Sequence, residues 1–268
     1  MWKKFAGHFL TLVIVLCLGA AAFFGWKIIK TELDYKKGQE GLEAIYQAME
    51  EALEENAAGR TEEAEETPGE DPEVRLGQYR ALHGENSDMA GWIRIPDTKI
   101  DYPVMHTPED PEYYFHRDFE KNYSSYGMIF LDGDCRLDGS SPNLLLYGHH
   151  MRNGSMFAQI QSYDSEEFCR EHPYIYFDTL EELGTYEVLG AFKAPAAELD
   201  DDFKKMLLAE TEEDYGRFMN YLKGRRFYDT GVEAEYPRQL ITLTTCEYTQ
   251  KDGRFFVVAA KVEEPAEP

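Results

Sequence analysis

Residues 241–246 read ITLTTC, a run of β-branched residues that ends in a lone cysteine. The run predicts a strand that carries a thiol nucleophile to an exposed strand end. The next sixteen residues, EYTQKDGRFFVVAAKV, contain a DG turn signal at 252–253 and a second β-rich run over 255–262. A hairpin therefore brings Arg254, at the start of the returning strand, to the same end as Cys246.

Short β-rich segments separated by turn signals recur along the chain. They cover residues 92–95, 100–104, 128–131, 144–147, 174–177, 186–192, 240–245 and 255–262. Eight such strands favour a mainly β fold, a closed eight-stranded barrel, over a sheet of βαβ units. Residues 200–223 break the pattern, because their apolar residues recur with the period of a helix.

A histidine pair follows another predicted strand. Residues 143–147 read NLLLY, and the run breaks at Gly148 before His149 and His150. A free thiol has a pKa of about 8.5, so a neighbouring cation is needed to hold it as thiolate near neutral pH. Either histidine fits that role, and spacing alone does not choose between them, because one residue of register reverses the side-chain direction.

These motifs resemble those of the sortases, the cysteine transpeptidases of the Gram-positive cell surface. The family signature, TLxTC followed by an arginine, stands as TLTTC at 242–246 with Arg254 eight positions on, and the family histidine as YGHHM at 147–151. The family histidine directly follows the glycine, which favours His149. Three more segments are similar to class B sortases: GWIRIPDTKIDYPV at 91–104, GMIFLD at 127–132 and NGSMFAQI at 153–160.

The resemblance implies a mechanism. Cys246 attacks a backbone carbonyl in the sorting motif of a secreted surface protein, His149 protonates the departing amine, and a thioester remains on the enzyme. An amine of a peptidoglycan precursor or a pilin then takes the acyl group. Arg254 suits the oxyanion or a substrate carbonyl, because its planar fork is always charged. The resemblance also implies a helix near the active site.

Two further residues are predicted to bind substrate. Thr244, the variable position of TLxTC, alternates in direction with Thr245, and one face of that strand is expected to line the substrate groove. Glu247, beside the nucleophile, is expected to orient substrate or His149; a solvated loop carboxylate is the alternative.

Two other functions use the same residues differently. A cysteine peptidase or cell-wall hydrolase has the same Cys–His pair but releases the acyl group to water. A non-catalytic, membrane-tethered binding module leaves Cys246 unreactive.

The N-terminus predicts a membrane anchor over residues 1–30. Residues 9–26 are eighteen in a row without a charge, at the lower limit for crossing a bilayer. We expect a single-pass protein of the cell membrane with an extracellular catalytic domain, an orientation that rests partly on the resemblance. The small residues at 20–22 (AAA) also fit a cleavage site, so a removed signal peptide is the alternative.

Residues 31–78 are a predicted stalk that follows the anchor. The sortase catalytic domain is predicted at 79–262, and a tail follows at 263–268. Apolar residues at helical spacing predict an amphipathic helix over 39–55. Its apolar stripe is expected to pack against the catalytic domain, and a partner site is the alternative. Residues 40–73 contain thirteen acidic residues and a single basic one, Arg60. We therefore expect a disordered acidic spacer after this helix, over roughly 56–74, that holds the catalytic domain off the membrane.

Composition excludes several other functions. The net charge of −24 argues against nucleic-acid binding. The chain has no phosphate-binding loop, dinucleotide glycine pattern or zinc-type cysteine spacing, so no cofactor is implied. The acidic stretch LDGDCRLDG at 131–139 lacks the glutamate of a calcium loop and predicts a polar surface loop. A disulfide between Cys135 and Cys169 stays open as an alternative to two free thiols.

Overall fold

The computed structural model describes residues 2–58, 72–247 and 253–263, with side chains for 13–51, 72–246 and 253–263. Its centre contains eight strands: β1 (Met89–Arg94), β2 (Asp101–Met105), β3 (Ile129–Leu131), β4 (Asn143–Tyr147), β5 (Tyr174–Thr179), β6 (Thr185–Ala194), β7 (Leu240–Glu247) and β8 (Gly253–Lys261). They close into a barrel in the order β1-β2-β3-β4-β7-β8-β6-β5. The predicted closed barrel is confirmed, and each predicted strand is present. Closure leaves no unpaired sheet edge along these strands.

The strands that carry the candidate site lie side by side. β4 and β7 are parallel, in a register that runs from Asn143 opposite Leu240 to Tyr147 opposite Thr244. β7 and β8 are antiparallel neighbours. Residues 240–245 and 255–260 are buried on both strand faces. The middle of this strand pair is therefore core, and only the strand ends reach solvent.

Two helices occupy the connection between β6 and β7, which confirms the helical prediction for 200–223. They are α4 (Asp201–Leu208) and α5 (Glu212–Arg225), which follow α1 (Trp2–Ala58), α2 (Pro72–Glu85) and the short α3 (Glu166–Glu171). Ala209 ends α4 in the left-handed conformation (φ 53°), and the Thr211 side chain caps α5 by accepting the amide of Asp214. The last residue of β6, Ala194, pairs with Arg254. The helical connection therefore begins at the barrel end that carries the candidate site.

The long helix α1 contains the apolar N-terminal segment. By length and composition, one stretch of the described part of α1 is long and apolar enough to cross a membrane. Its large apolar side chains between Val13 and Leu33 are exposed in the isolated protein. Such a surface on a helix needs an apolar environment, and a bilayer supplies one.

The same helix then packs on the barrel. The ring of Tyr35 lies edge-on to Tyr126, with centroids 5.7 Å apart, and Tyr46 packs against Trp92 at 6.1 Å. Gly38 comes so close to Tyr126 that an added Cβ would lie 2.5 Å from its ring. A side chain at this position would push the helix away.

This packing involves the apolar stripe of the predicted amphipathic helix, as expected from the sequence. The apolar stripe of α1 is buried against the domain, where Ile45 is 6% exposed in a cluster with Leu76 of α2 and Met89 of β1. The predicted acidic spacer falls mainly on residues 59–71, which lie outside the described part. The predicted domain start at residue 79 falls inside α2, and most of the predicted tail also lies outside the described residues.

Candidate active site

β7 and β8 place the cysteine beside the arginine. In their register Cys246 is directly opposite Arg254, and Glu247 is opposite Gly253. Cys246 is a half-buried free thiol. β-branched residues favour the strand that precedes it, and the turn signal DG at 252–253 directly precedes Arg254 in the chain. Residues 248–252, which connect them, lie outside the described part.

β4 brings the histidine pair to the same place. Beyond the last pair of the β4–β7 ladder, the Gly148 amide donates to the Thr244 carbonyl at 3.1 Å. The Thr245 hydroxyl donates to the Gly148 carbonyl at 2.7 Å. These two hydrogen bonds attach the backbone at Gly148, directly before His149, to β7, the strand that carries Cys246. Both histidines therefore leave the barrel beside the end of β7.

The two rings have different partners. His149 Nε2 lies 2.6 Å from the Phe115 carbonyl, and the ring packs on Phe115 at 4.2 Å and on His116 at 5.5 Å. His150 Nδ1 lies 3.3 Å from the carbonyl of Cys246. A carbonyl only accepts, so each of these ring nitrogens carries the proton. The ring of His150 is thus aimed at the backbone of the cysteine residue.

The surroundings of His149 favour its neutral form. Burial lowers the pKa of His149, the hydrogen bond to the Phe115 carbonyl opposes this, and the nearby His116 lowers it further. In the neutral ring with its proton on Nε2, Nδ1 has a free lone pair. His149 can therefore accept a proton before it donates one.

Arg254 is close enough to β4 to act on it electrostatically. Burial and the carboxylate of Asp132 raise the pKa of Tyr147, whereas the charge of Arg254 lowers it. The Arg254 Nη1 donates to the Gly253 carbonyl at 3.2 Å. Its positive charge is therefore fixed beside the strand end that holds Cys246 and near the strand that leads to His149.

The two predicted substrate residues differ in how far they are described. Thr244 is 2% exposed, and among the described residues its hydroxyl has no hydrogen-bond partner. It lies two residues before Cys246 and so faces the same side of β7. The backbone of Glu247 belongs to β7, but its side chain lies outside the described part.

The other two cysteines of the domain are poor nucleophiles. Cys135 and Cys169 are buried and free, so the disulfide left open by the sequence is not formed. Burial raises the pKa of Cys135 to about 12 and also raises the pKa of Cys169. A thiol with a raised pKa is scarcely ionised at neutral pH.

Sequence reasoning missed three residues at this site. Phe115 and His116 surround His149, and Gln161 donates from Nε2 to the Cys246 carbonyl at 2.9 Å. Gln161 is 85 residues away from Cys246 in the chain. No local pattern of sequence marks such a contact, because it depends on the closed barrel.

Two aspartates of the acidic stretch at 131–139 form ion pairs with one lysine. Lys204 lies 3.0 Å from Asp132 and 2.7 Å from Asp134.

Within the described residues, no group of three or more histidine, cysteine or acidic side chains is placed to hold a metal ion. One cavity of about 570 Å³ lies between α1 and residues 118–128, and neither Cys246 nor His149 lines it.

Comparisons with known proteins identify relatives of the chain. A family model described as the sortase domain matches residues 93–262. Sortase B of Listeria monocytogenes is 32% identical over 250 residues, 93% of each chain. Sortase B of Staphylococcus aureus is 28% identical over 254 residues, 94% of this chain and 96% of that protein.

Solved structures show the same likeness. The Staphylococcus aureus sortase B–substrate complex superposes with a TM-score of 0.71 at 25% identity, over 86% of this chain and 99% of that one. Sortase B of B. anthracis in complex with AAEK1 gives a TM-score of 0.67 at 27% identity, over 87% and 99%.

The chain belongs to the sortase family of cysteine transpeptidases. The two relatives named above are sortase B proteins and align over nearly the whole chain, which makes it a class B sortase.

Proposed function

We propose that Cys246 is the nucleophile that forms the acyl-enzyme. The observation that carries this proposal is the convergence of a half-buried free thiol, an arginine directly opposite it, and two histidines at the end of the neighbouring strand. The other two cysteines of the domain are buried. In the first step the Cys246 thiol adds to a peptide carbonyl, and the amine leaves as the thioester forms.

His149 exchanges the protons in both steps. Its lowered pKa favours the neutral ring, which takes the proton of the thiol as the sulfur attacks. The imidazolium then gives that proton to the departing amine. In the second step His149 accepts a proton from the incoming amine. His150 is less suited to this role, since its Nδ1 faces the Cys246 carbonyl.

Arg254 and Thr244 act on the substrate. The guanidinium of Arg254 balances the charge of the tetrahedral oxyanion. The buried Thr244 hydroxyl has no partner among the described residues. Because a buried hydroxyl without a partner costs roughly 1–3 kcal/mol, Thr244 gains from a peptide carbonyl that enters beside Cys246. We propose that Glu247 orients the substrate or His149.

The substrates are secreted surface proteins with a sorting motif, and the acceptor is an amine of the cell wall or of a pilin. Relatives with solved structures include a sortase B–substrate complex and a sortase B complexed with triglycine. We propose that α1 crosses the cell membrane once and leaves the catalytic domain outside. Residues 31–78 then connect this anchor to the domain.

Product analysis tests the function. The purified full chain, in detergent, is incubated with a peptide library and with triglycine as the amine, and the products are read by mass spectrometry. We expect cleaved peptides that carry the added glycines. Products that end only in a free carboxylate would identify a hydrolase, and the absence of both cleavage and Cys246 acylation would identify a binding module.

Loss of Arg254 should slow the chemical step. We expect Arg254→Ala to lower kcat by roughly 10² to 10³, with a smaller change in KM, because an oxyanion donor acts mainly in the transition state. Arg254→Lys should restore little, since lysine lacks the planar two-donor fork. Steady-state kinetics with the peptide found above measure both constants.

A matched control is Arg170→Ala, which removes an exposed arginine paired only with Glu166 of the same helix among the contacts described. It should leave both constants unchanged. If Arg254→Ala raises KM and leaves kcat intact, the residue binds ground state and transition state equally and is not an oxyanion donor.

A further inference from the structure

The carbonyl of Cys246 lies just beyond the end of the hydrogen-bond ladder between β4 and β7. The Thr244 carbonyl, two residues earlier on the same edge of β7, accepts the Gly148 amide of the chain leaving β4. After Gly148 the segment, which continues with His149 and His150, no longer runs beside β7. The next carbonyl on this edge belongs to Cys246, and β4 offers it no backbone amide in ladder register.

Two side chains replace the missing strand donor. Gln161 Nε2 lies 2.9 Å from the Cys246 carbonyl and His150 Nδ1 lies 3.3 Å from it. Both atoms are donors, and a carbonyl oxygen has two lone pairs. The end of β7 is thus held by two hydrogen bonds from outside the sheet, next to the 248–252 connection.

Gln161 also belongs to the element that holds the histidines. It lies in the short 3₁₀ helix Phe157–Asp164. The Phe157 amide donates to the His149 carbonyl at 3.0 Å, and Met156 bridges to His150. Phe157 and Ile160 are fully buried, so this helix is anchored in the core.

We propose that Gln161 is a positioning residue which, together with His150, fixes the Cys246 carbonyl and so sets the thiol against His149. One rigid helix then holds the backbone of both the nucleophile and its base. This inference rests on the proposed roles of Cys246 and His149. Without the two donors, only the pairing with β8 holds the last residues of β7 within the described part. They can then shift relative to the histidine, and the geometry that activates the thiol is lost.

The carbonyl can be observed directly. The four cysteines are followed by Leu18, Arg136, Arg170 and Glu247, so a Cys–Glu pair occurs once in the chain. Labelling cysteine with ¹³C at the carbonyl and glutamate with ¹⁵N therefore gives one NMR correlation across this peptide bond in the full chain in detergent. Loss of a donor should move the Cys246 carbonyl resonance upfield.

Two variants remove the donor with little change in size. Gln161→Met has no hydrogen-bonding group, and Gln161→Glu offers only acceptors when ionised. The control is Gln159→Met in the same helix, because Gln159 accepts the Lys99 amide and so faces another partner. We expect an upfield shift in both Gln161 variants and none in the control, with melting temperatures that show all three are folded.

Activation of the thiol is measured with iodoacetamide, by mass spectrometry of the peptide that contains Cys246. Loss of one hydrogen bond should slow alkylation about 2- to 12-fold, and His150→Phe combined with Gln161→Met should slow it further. An unchanged carbonyl resonance overturns the contact. A shifted resonance with unchanged alkylation overturns the positioning role.

The same assay separates this inference from the function on which it rests. His149→Ala should slow alkylation of Cys246 more than either Gln161 variant. If His149→Ala has no effect, the proposed Cys246–His149 pair fails, and the positioning role fails with it. If His149→Ala slows the reaction and the Gln161 variants do not, only the positioning role is lost.

Discussion

Replacing Cys246 with alanine should abolish both peptide cleavage and transfer to an amine. The reaction needs a thioester, and alanine has no atom that can form one. The loss should be complete within the detection limit, in contrast to the graded losses expected for residues that only assist. Mass spectrometry of the protein provides a second measurement, because the acylated form should be absent from the variant and present in the wild type.

The other two cysteines of the domain are the matched controls. Cys135→Ala and Cys169→Ala should retain turnover, since both thiols are buried and burial raises the pKa of each. Either substitution opens a small void in the core, so a lowered melting temperature is expected with the kinetics intact. Turnover in Cys246→Ala at the wild-type rate would show that another group is the nucleophile.

The placement of Cys246 beside Arg254 can be predicted from the sequence, because the two strands and the turn between them are contiguous in the chain. Residues 241–262 carry a strand that ends at Cys246 and a turn signal before Arg254, and antiparallel pairing across such a turn puts the two side by side. The barrel itself is predictable from eight short strands, since the pattern of each segment needs no knowledge of its neighbours.

Contacts across the barrel do not follow from sequence. Nothing near Gln161 in the chain indicates that it binds the Cys246 carbonyl, because that contact requires β4 to end at Tyr147 while β7 continues. The ambiguity between His149 and His150 has the same origin. Each ring finds its partner, Phe115 or Cys246, in a distant segment.

The contact between α1 and the barrel shows a different kind of difficulty. Helical spacing predicts an amphipathic helix over 39–55, and spacing does not indicate which part of the barrel that helix contacts. α1 packs on the barrel over Tyr35 to Met49, with Gly38 against Tyr126. A glycine that permits a close helix contact has no distinguishing pattern in a single sequence.

The second large loss should come from His149→Ala. A positioned acid–base group contributes about 10² to 10⁴ to the rate, and this histidine must both receive the thiol proton and deliver a proton to the leaving amine. We expect kcat for transfer to fall within that range. His150→Ala should cost far less, about 2- to 12-fold, because His150 contributes one hydrogen bond to the Cys246 carbonyl. Single-turnover acylation of both variants, measured at the same pH, gives this ranking directly. A larger loss in His150→Ala would move the acid–base role to His150. His149, which is bonded to the Phe115 carbonyl, would then only support the segment that follows β4.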